Sequence, residues 1–183
     1  PAYPEELYWI GGFTYKGYPE ERCSVRNVLG CNMSFRKEVF ETCGLFKPDF
    51  GRTGKKLITA EETEFCIRVH TMFHDKKIVY CPDAVVCHKI HKYRENFRYL
   101  IKRSFFEGFS KSSIKQLYYK KNSIDSETTY LKFLIMNSIP TRFKDIICGQ
   151  KINGNIKDCI QIISVISFVG LGYLKNRTEQ FLN

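Results

Sequence analysis

The spacing of apolar residues changes character near residue 93, and this change sets what the chain can fold into. Before it, short β-forming runs alternate with Gly/Pro turns and brief helical stretches; after it, apolar residues recur at helical spacing over long segments. Glu6 to Gly12 reads as a short strand closed by Gly11-Gly12, and Cys31 to Phe35 as an extended run passing into a helix over 37–42 that Gly44 ends. KPDFGRTGKKLI (47–58) has loop composition. KKIVYCPDAVVCHKI (76–90) holds two short β-rich runs broken at Pro82-Asp83. The pattern predicts an α/β first part followed by a helical one.

From about Arg94 to Tyr119 the sequence reads as a long basic helix, with Phe97, Leu100, Ile101, Ser104, Phe105 and Gly108 on overlapping faces. A polar break, KKNSIDSETTY, follows. The last third holds two apolar helical runs separated by Pro140 and by the turn GQKINGN. The second, Cys159 to Leu174, is interrupted by Ser164, Ser167 and two glycines, and is shorter than the roughly 18–20 residues of a clear membrane span. Lys157, Lys175 and Arg177 flank it, with Tyr173 at its edge, which suits a helix lying in a membrane interface. Packing against the preceding helix explains the run equally well.

The 43% hydrophobic and 15% aromatic content excludes a disordered linker. A net charge of +10 fits a phosphorylated partner, an anionic membrane surface or a nucleic acid. The basic residues are scattered, with neither an RNA-binding signature nor a helix-turn-helix pattern, so no nucleic acid is expected. Eight cysteines without a C-x-x-C pair read as reduced core residues in a reducing compartment, which points to the cytoplasm. Cys87-His88 with His91 lacks a second pair at zinc-finger spacing, so no structural zinc site is expected. The chain opens without an initiator Met or a signal peptide, and reads as a piece of something longer.

TAEETEFCIRVH (59–70) raises the functional question. Phe65, Cys66, Val69 and Phe73 mark one helical face, Thr59 stands at an N-cap position, and Glu62 sits three residues on, as in a capping box. Glu61, Glu62 and Glu64 therefore suit the positive end of the helix dipole. They also suit chemistry, if one of them is aimed at a substrate instead.

VRNVLGCNMSFRKEVFETCGLF, then GR, AEETEFCIRV, KKIVYCPDAVVCHKI and RYLIKRSFFEGFSK, in that order, resemble the second half of a family 2 glycosyltransferase of the GT-A fold over about residues 5–120. The resemblance implies an α/β fold, the second half of a GT-A domain with a mainly helical C-terminal extension. It divides the chain into an acceptor-side part at 1–92, a basic helix closing the domain at 93–121, and a helical, membrane-associated region at 122–183. It implies an inverting enzyme in glycan or lipid-linked saccharide synthesis, with Glu62 in the place of the catalytic base. The family's usual Glu-Asp pair is Glu61-Glu62 here, one methylene longer at the base; Glu61 would contact or position the acceptor.

By the same resemblance, Arg103 and Lys111 lie near the departing diphosphate or an anionic lipid carrier; they also read as a solvated helix face. Asn32, Ser34 and Arg36 alternate along an extended segment and would line the acceptor cleft. His88 falls where the family places a metal or diphosphate contact, and equally suits a hydrogen-bonded core histidine. A divalent Mg or Mn ion is expected in the intact enzyme, held mostly by residues outside this chain, since no Asp-x-Asp occurs in it. The expected partners are a nucleotide-sugar donor, a saccharide or lipid-linked acceptor and the inner face of the cell membrane, and the piece alone is expected to be inactive. The rival reading is a non-catalytic, membrane-peripheral or anionic-ligand domain whose acidic trio merely starts a helix.

Overall fold

The computed structural model describes residues 2–51, 57–118 and 125–181. Arg52 of the GR motif, most of the Gly/Lys-rich loop, and the proposed boundary at 121/122 lie outside them. The chain begins with a 3-10 helix, Glu5–Ile10, where a strand was expected. Tyr3, Leu7 and Ile10 explain the difference: they recur three to four residues apart and all are buried, a spacing that a strand would split between two faces.

Helix α1 (Lys37–Cys43) ends, as expected, on Gly44 in a positive-φ conformation. Helix α2 (Glu61–Met72) buries Phe65 completely among Phe35, Phe40 and Phe46, whose rings stand 4.6–5.1 Å from it. The only strands among the described residues are β1 (Cys23–Ser24) and β2 (Val79–Tyr80), paired antiparallel with Cys23 opposite Tyr80. The second β-rich run, 85–90, forms no strand: Val85 and Val86 face solvent and no ladder reaches them among the described residues.

The helical part begins with α3 (Phe97–Leu117), capped by Asn96, whose side chain accepts from the Tyr99 N–H at 2.8 Å. Helix α4 (Asp125–Phe133) runs through a π-helical turn, Leu134–Ser138, into α5 (Ile139–Ile147). Pro140 therefore does not separate two helices. The wider turn just before it accommodates a ring that would collide with the carbonyl of Met136 in regular α-helix. Gly149 and Lys151, both at positive φ, reverse the chain into α6 (Ile152–Phe181). At 30 residues α6 greatly exceeds the run expected at 159–174, because it absorbs the Asn-Gly-Asn stretch read as a turn.

The N-terminal segment and the last helices share one core. Tyr3, Leu7 and Ile10 pack with Tyr99 and Leu100 of α3, Leu134 of the π turn, and Ile162 and Val165 of α6. Fully buried Glu6 is clamped there by the Arg142 guanidinium, at 2.9 and 2.8 Å, and by the Ser138 hydroxyl at 2.6 Å. Burial pushes the Glu6 carboxyl up, but these bonds win and hold it down at about 2.

Candidate functional site

The start of α2 is not built as the sequence implies. Its N-cap is Ala60, not Thr59, and Ala60 sits at φ 112° with no side-chain cap, so the capping box does not form. Thr59 is turned toward α3: its N–H donates to Ser110 Oγ at 3.2 Å, and its hydroxyl to Glu107 at 3.4 Å. An L-residue at that φ is strained and persists only where its surroundings hold it. Here α3 holds the preceding residue, and the buried Ala60 methyl packs with Ile67 and Ile114.

The three carboxylates then take different surroundings. Glu64 does not stand free at the helix dipole but is wholly buried. It accepts from Arg68 at 3.2 and 2.8 Å and from the Tyr118 hydroxyl at 2.6 Å, and pairs with Lys47 at 3.1 Å. Burial raises its pKa, but these partners leave it below the usual carboxylate value. Arg68 also donates to the carbonyls of Cys43 and Leu45, so Glu64 ties α2 to the end of α1.

Glu61 and Glu62 have no ion-pair partner among the described residues. Glu62 lies against Gly30, where a β-carbon would stand 3.6 Å from its carboxyl carbon; Glu61 lies against Gly51 in the same way, at 2.9 Å from Oε2. Burial pushes the Glu62 carboxyl up, and Glu107 and Glu61 push the same way against the pull of its own backbone N–H and of Lys111.

Beneath this helix start runs a buried ladder of charges. Glu107 pairs with Arg103 at 2.6 Å and with Lys111 at 3.2 Å. Lys111 bridges to Glu127 of α4 at 2.8 Å, and Glu127 accepts two bonds from Arg26. Despite burial, these cations hold Glu107 and Glu127 at about 2. Arg103 and Lys111 are thus not a solvated face: Arg103 lies over the Trp9 ring at 5.9 Å and Lys111 is held between two carboxylates. Residues 103, 107 and 111, one helical turn apart, carry a readable signal for half of this ladder. Arg26 and Glu127, 101 residues apart, carry none.

The other expected site residues meet at a separate cavity of about 780 Å³. Asn32, Ser34, Arg36 and His88 all line it, with Phe13, Lys76 and Lys77. Asn32 donates its amide to the Ala84 carbonyl, and Cys31 its thiol to the Gly12 carbonyl at 3.1 Å. The His88 ring stands edge-on to Phe13 at 5.5 Å, half-buried and with no hydrogen bond among the described residues, so it is not the hydrogen-bonded core histidine that was the alternative expectation. Glu62 does not line the cavity, but Gly30, which it touches, adjoins the lining residue Cys31. Among the described residues no three His, Cys, Asp or Glu side chains converge as a metal site. All eight cysteines are unpaired, but they are not all core residues as expected: Cys43, Cys66 and Cys159 are buried, whereas Cys31, Cys87 and Cys148 are exposed on loops and turns.

The chain is 33% identical, over 172 residues, to the glucosyl-dolichyl phosphate glucuronosyltransferase of Haloferax volcanii. The match covers 94% of the chain and 54% of that protein, so the chain spans about half the length of this curated relative. It is thus similar to a glycosyltransferase along nearly all of its length. No family model and no solved structure match it.

Proposed function

We propose that the chain is the acceptor-side half of an inverting glycosyltransferase of GT-A type. The intact enzyme moves a sugar from a nucleotide-sugar donor to a hydroxyl of a lipid-linked saccharide at a membrane. The similarity to the Haloferax volcanii glucuronosyltransferase over 94% of the chain supports its glycosyltransferase part. The half-buried carboxylate of Glu62 at the start of α2, without an ion-pair partner among the described residues, supports the chemistry.

In this reading Glu62 accepts the proton of the acceptor hydroxyl while that oxygen attacks the anomeric carbon and the nucleoside diphosphate leaves from the opposite face. A carboxyl raised above its ordinary value is a stronger base once ionised, and so better matched to a hydroxyl. Glu61 orients the acceptor. The neighbouring cavity, with Asn32 to bond sugar hydroxyls and Arg36, Lys76 and Lys77 to face a phosphate, receives the acceptor's polar head. Arg103 and Lys111 act through Glu107, which bonds Thr59 and so fixes the start of α2, rather than by touching a diphosphate. No step is routed through a metal.

The test is sugar transfer by the full-length protein carrying Glu62→Gln, with melting and donor binding measured in parallel. A fall of about a hundredfold or more with both others intact is the expected result. Unchanged transfer would make Glu62 a helix-start residue and sink the assignment.

A further inference from the structure

Helix α6 carries two apolar stripes on opposite sides. The inner one, Ile162, Val165, Val169, Gly172 and Asn176, packs on α3 and the N-terminal segment. The outer one, Ile156, Ile160, Ile163, Leu171 and Leu174, is 43–59% exposed. A helix that is apolar all round does not normally leave one side in water. At its foot, Phe143 and Ile147 of α5 and Ile152 of α6 add exposed apolar surface around the turn between the two helices. Lys144, Lys151 and Lys157 stand exposed along the same hairpin.

By length, about 45 Å at 1.5 Å per residue, α6 can reach across a bilayer core of about 30 Å. Its inner face forbids this. Gly108 and Gly172 bring the backbones of α3 and α6 into direct contact, and Asn176 bonds Ser113 further along the same crossing at 3.2 Å. To cross, α6 would carry α3 with it, including exposed Arg98 and Lys102 and the Arg103–Glu107–Lys111 ladder, charges that the bilayer centre strongly disfavours. Within α6, Asp158 pairs with Arg142 at 3.3 Å, and buried Gln161 donates to the Ala2 carbonyl at 3.2 Å.

We propose that α6 lies along the surface of an anionic phospholipid bilayer, its outer stripe sunk at the headgroup boundary and the lysines of the α5–α6 turn on the headgroups, without crossing. The charge balance favours lipid over a second copy of the chain: a net +10, with lysines beside the stripe, repels itself and attracts anionic headgroups. Two acidic residues near the stripe are already engaged, Asp158 by Arg142 and Glu179 by Lys175 at 3.5 Å. This docking does not depend on glycosyl transfer, and its test reads no activity.

The experiment is co-sedimentation of the protein with phosphatidylcholine vesicles, with and without phosphatidylglycerol, followed by trypsin added outside the preformed vesicles. Binding to the anionic vesicles that weakens in high salt, with cleavage at both Lys151 and Arg177, is the expected result. In the triple variant Ile160→Glu, Ile163→Glu, Leu171→Glu, retention falls by about tenfold or more while the melting temperature holds. Should that variant fail to fold, Lys144→Glu with Lys151→Glu and Lys157→Glu, all exposed, removes the preference for anionic vesicles. Three results overturn the proposal: no sedimentation with anionic vesicles, protection of one flank alone, or a dimer by light scattering that the triple variant dissociates.

Discussion

Gly108 of α3 and Gly172 of α6 face each other across a backbone-to-backbone crossing: a β-carbon on Gly108 would overlap the Val169 carbonyl, and one on Gly172 the Phe105 carbonyl. The two helices can separate to admit a methyl group only by unpacking the core they share with Leu7 and Ile10.

Gly108→Ala and Gly172→Ala are each expected to cost about 3 kcal/mol or more, since neither obstacle is a side chain that can rotate away. Gly170→Ala, two residues from Gly172 but facing open space, should instead stabilise by about 0.5–1 kcal/mol through helix propensity. Urea unfolding of the three variants checks both signs.

Ala60 tests the strain at the start of α2. Glycine removes the penalty of φ 112° but also a buried methyl, so Ala60→Gly should shift stability by no more than about 1 kcal/mol. Ala60→Val adds a β-branched side chain at the same φ and should cost about 2 kcal/mol or more, read by thermal melting.

Glu62 makes opposite predictions for stability and for rate. Its folded-state pKa is raised, so ionising it opposes folding, and Glu62→Gln should leave the melting temperature at neutral pH unchanged or higher. A base must be ionised, so the transfer rate should fall with decreasing pH at a value above the ordinary carboxylate range. A pH–rate profile with its acid limb near pH 4 or below would contradict the assignment.

Acid should unfold the protein through other carboxylates. Glu6, Glu107 and Glu127 are each held at about 2 when folded, against 4.5 unperturbed. Their stabilisation is complete above the unfolded value and is lost as pH falls from about 4.5 toward 2. Arg142→Ala leaves Glu6 buried without its main partner and should cost about 3 kcal/mol at neutral pH. Denaturant melts at pH 6 and pH 3 separate the two effects.

What the sequence made legible was local. Helices read at 37–42, after Thr59 and at about 94–119, from apolar spacing and from Gly44, are found at 37–43, 61–72 and 97–117, their exact starts at Ala60 and Asn96 having gone unread. Asn32, Ser34 and Arg36 do line one cavity, but so do Met33 and Phe35 between them, in a segment that forms no strand, so alternation is not what brings them there. Long-range partners decided the rest. Residues 5–10 form a 3-10 helix whose spacing of Tyr3, Leu7 and Ile10 was there to read, but the helices that cover Leu7 and Ile10 lie almost 90 residues or more further on. Glu64 carries the same charge as Glu61 and Glu62, and only the arrival of Arg68, Lys47 and Tyr118 makes it structural. Pro140 marked a real irregularity, but a π turn absorbs a proline as readily as a break does.

The clamp of Arg142 on Glu6 spans 136 residues, and it orders events during synthesis. Leu7 and Ile10 leave the ribosome on the order of ten seconds before Leu134, Ile162 and Val165 exist to cover them. Throughout that interval the nascent chain displays an apolar segment whose adjacent carboxylates, Glu5 and Glu6, keep it hydrated and discourage premature association, and Glu6 is the one later buried. When Arg142 arrives, the same carboxylate becomes the latch that closes the finished domain.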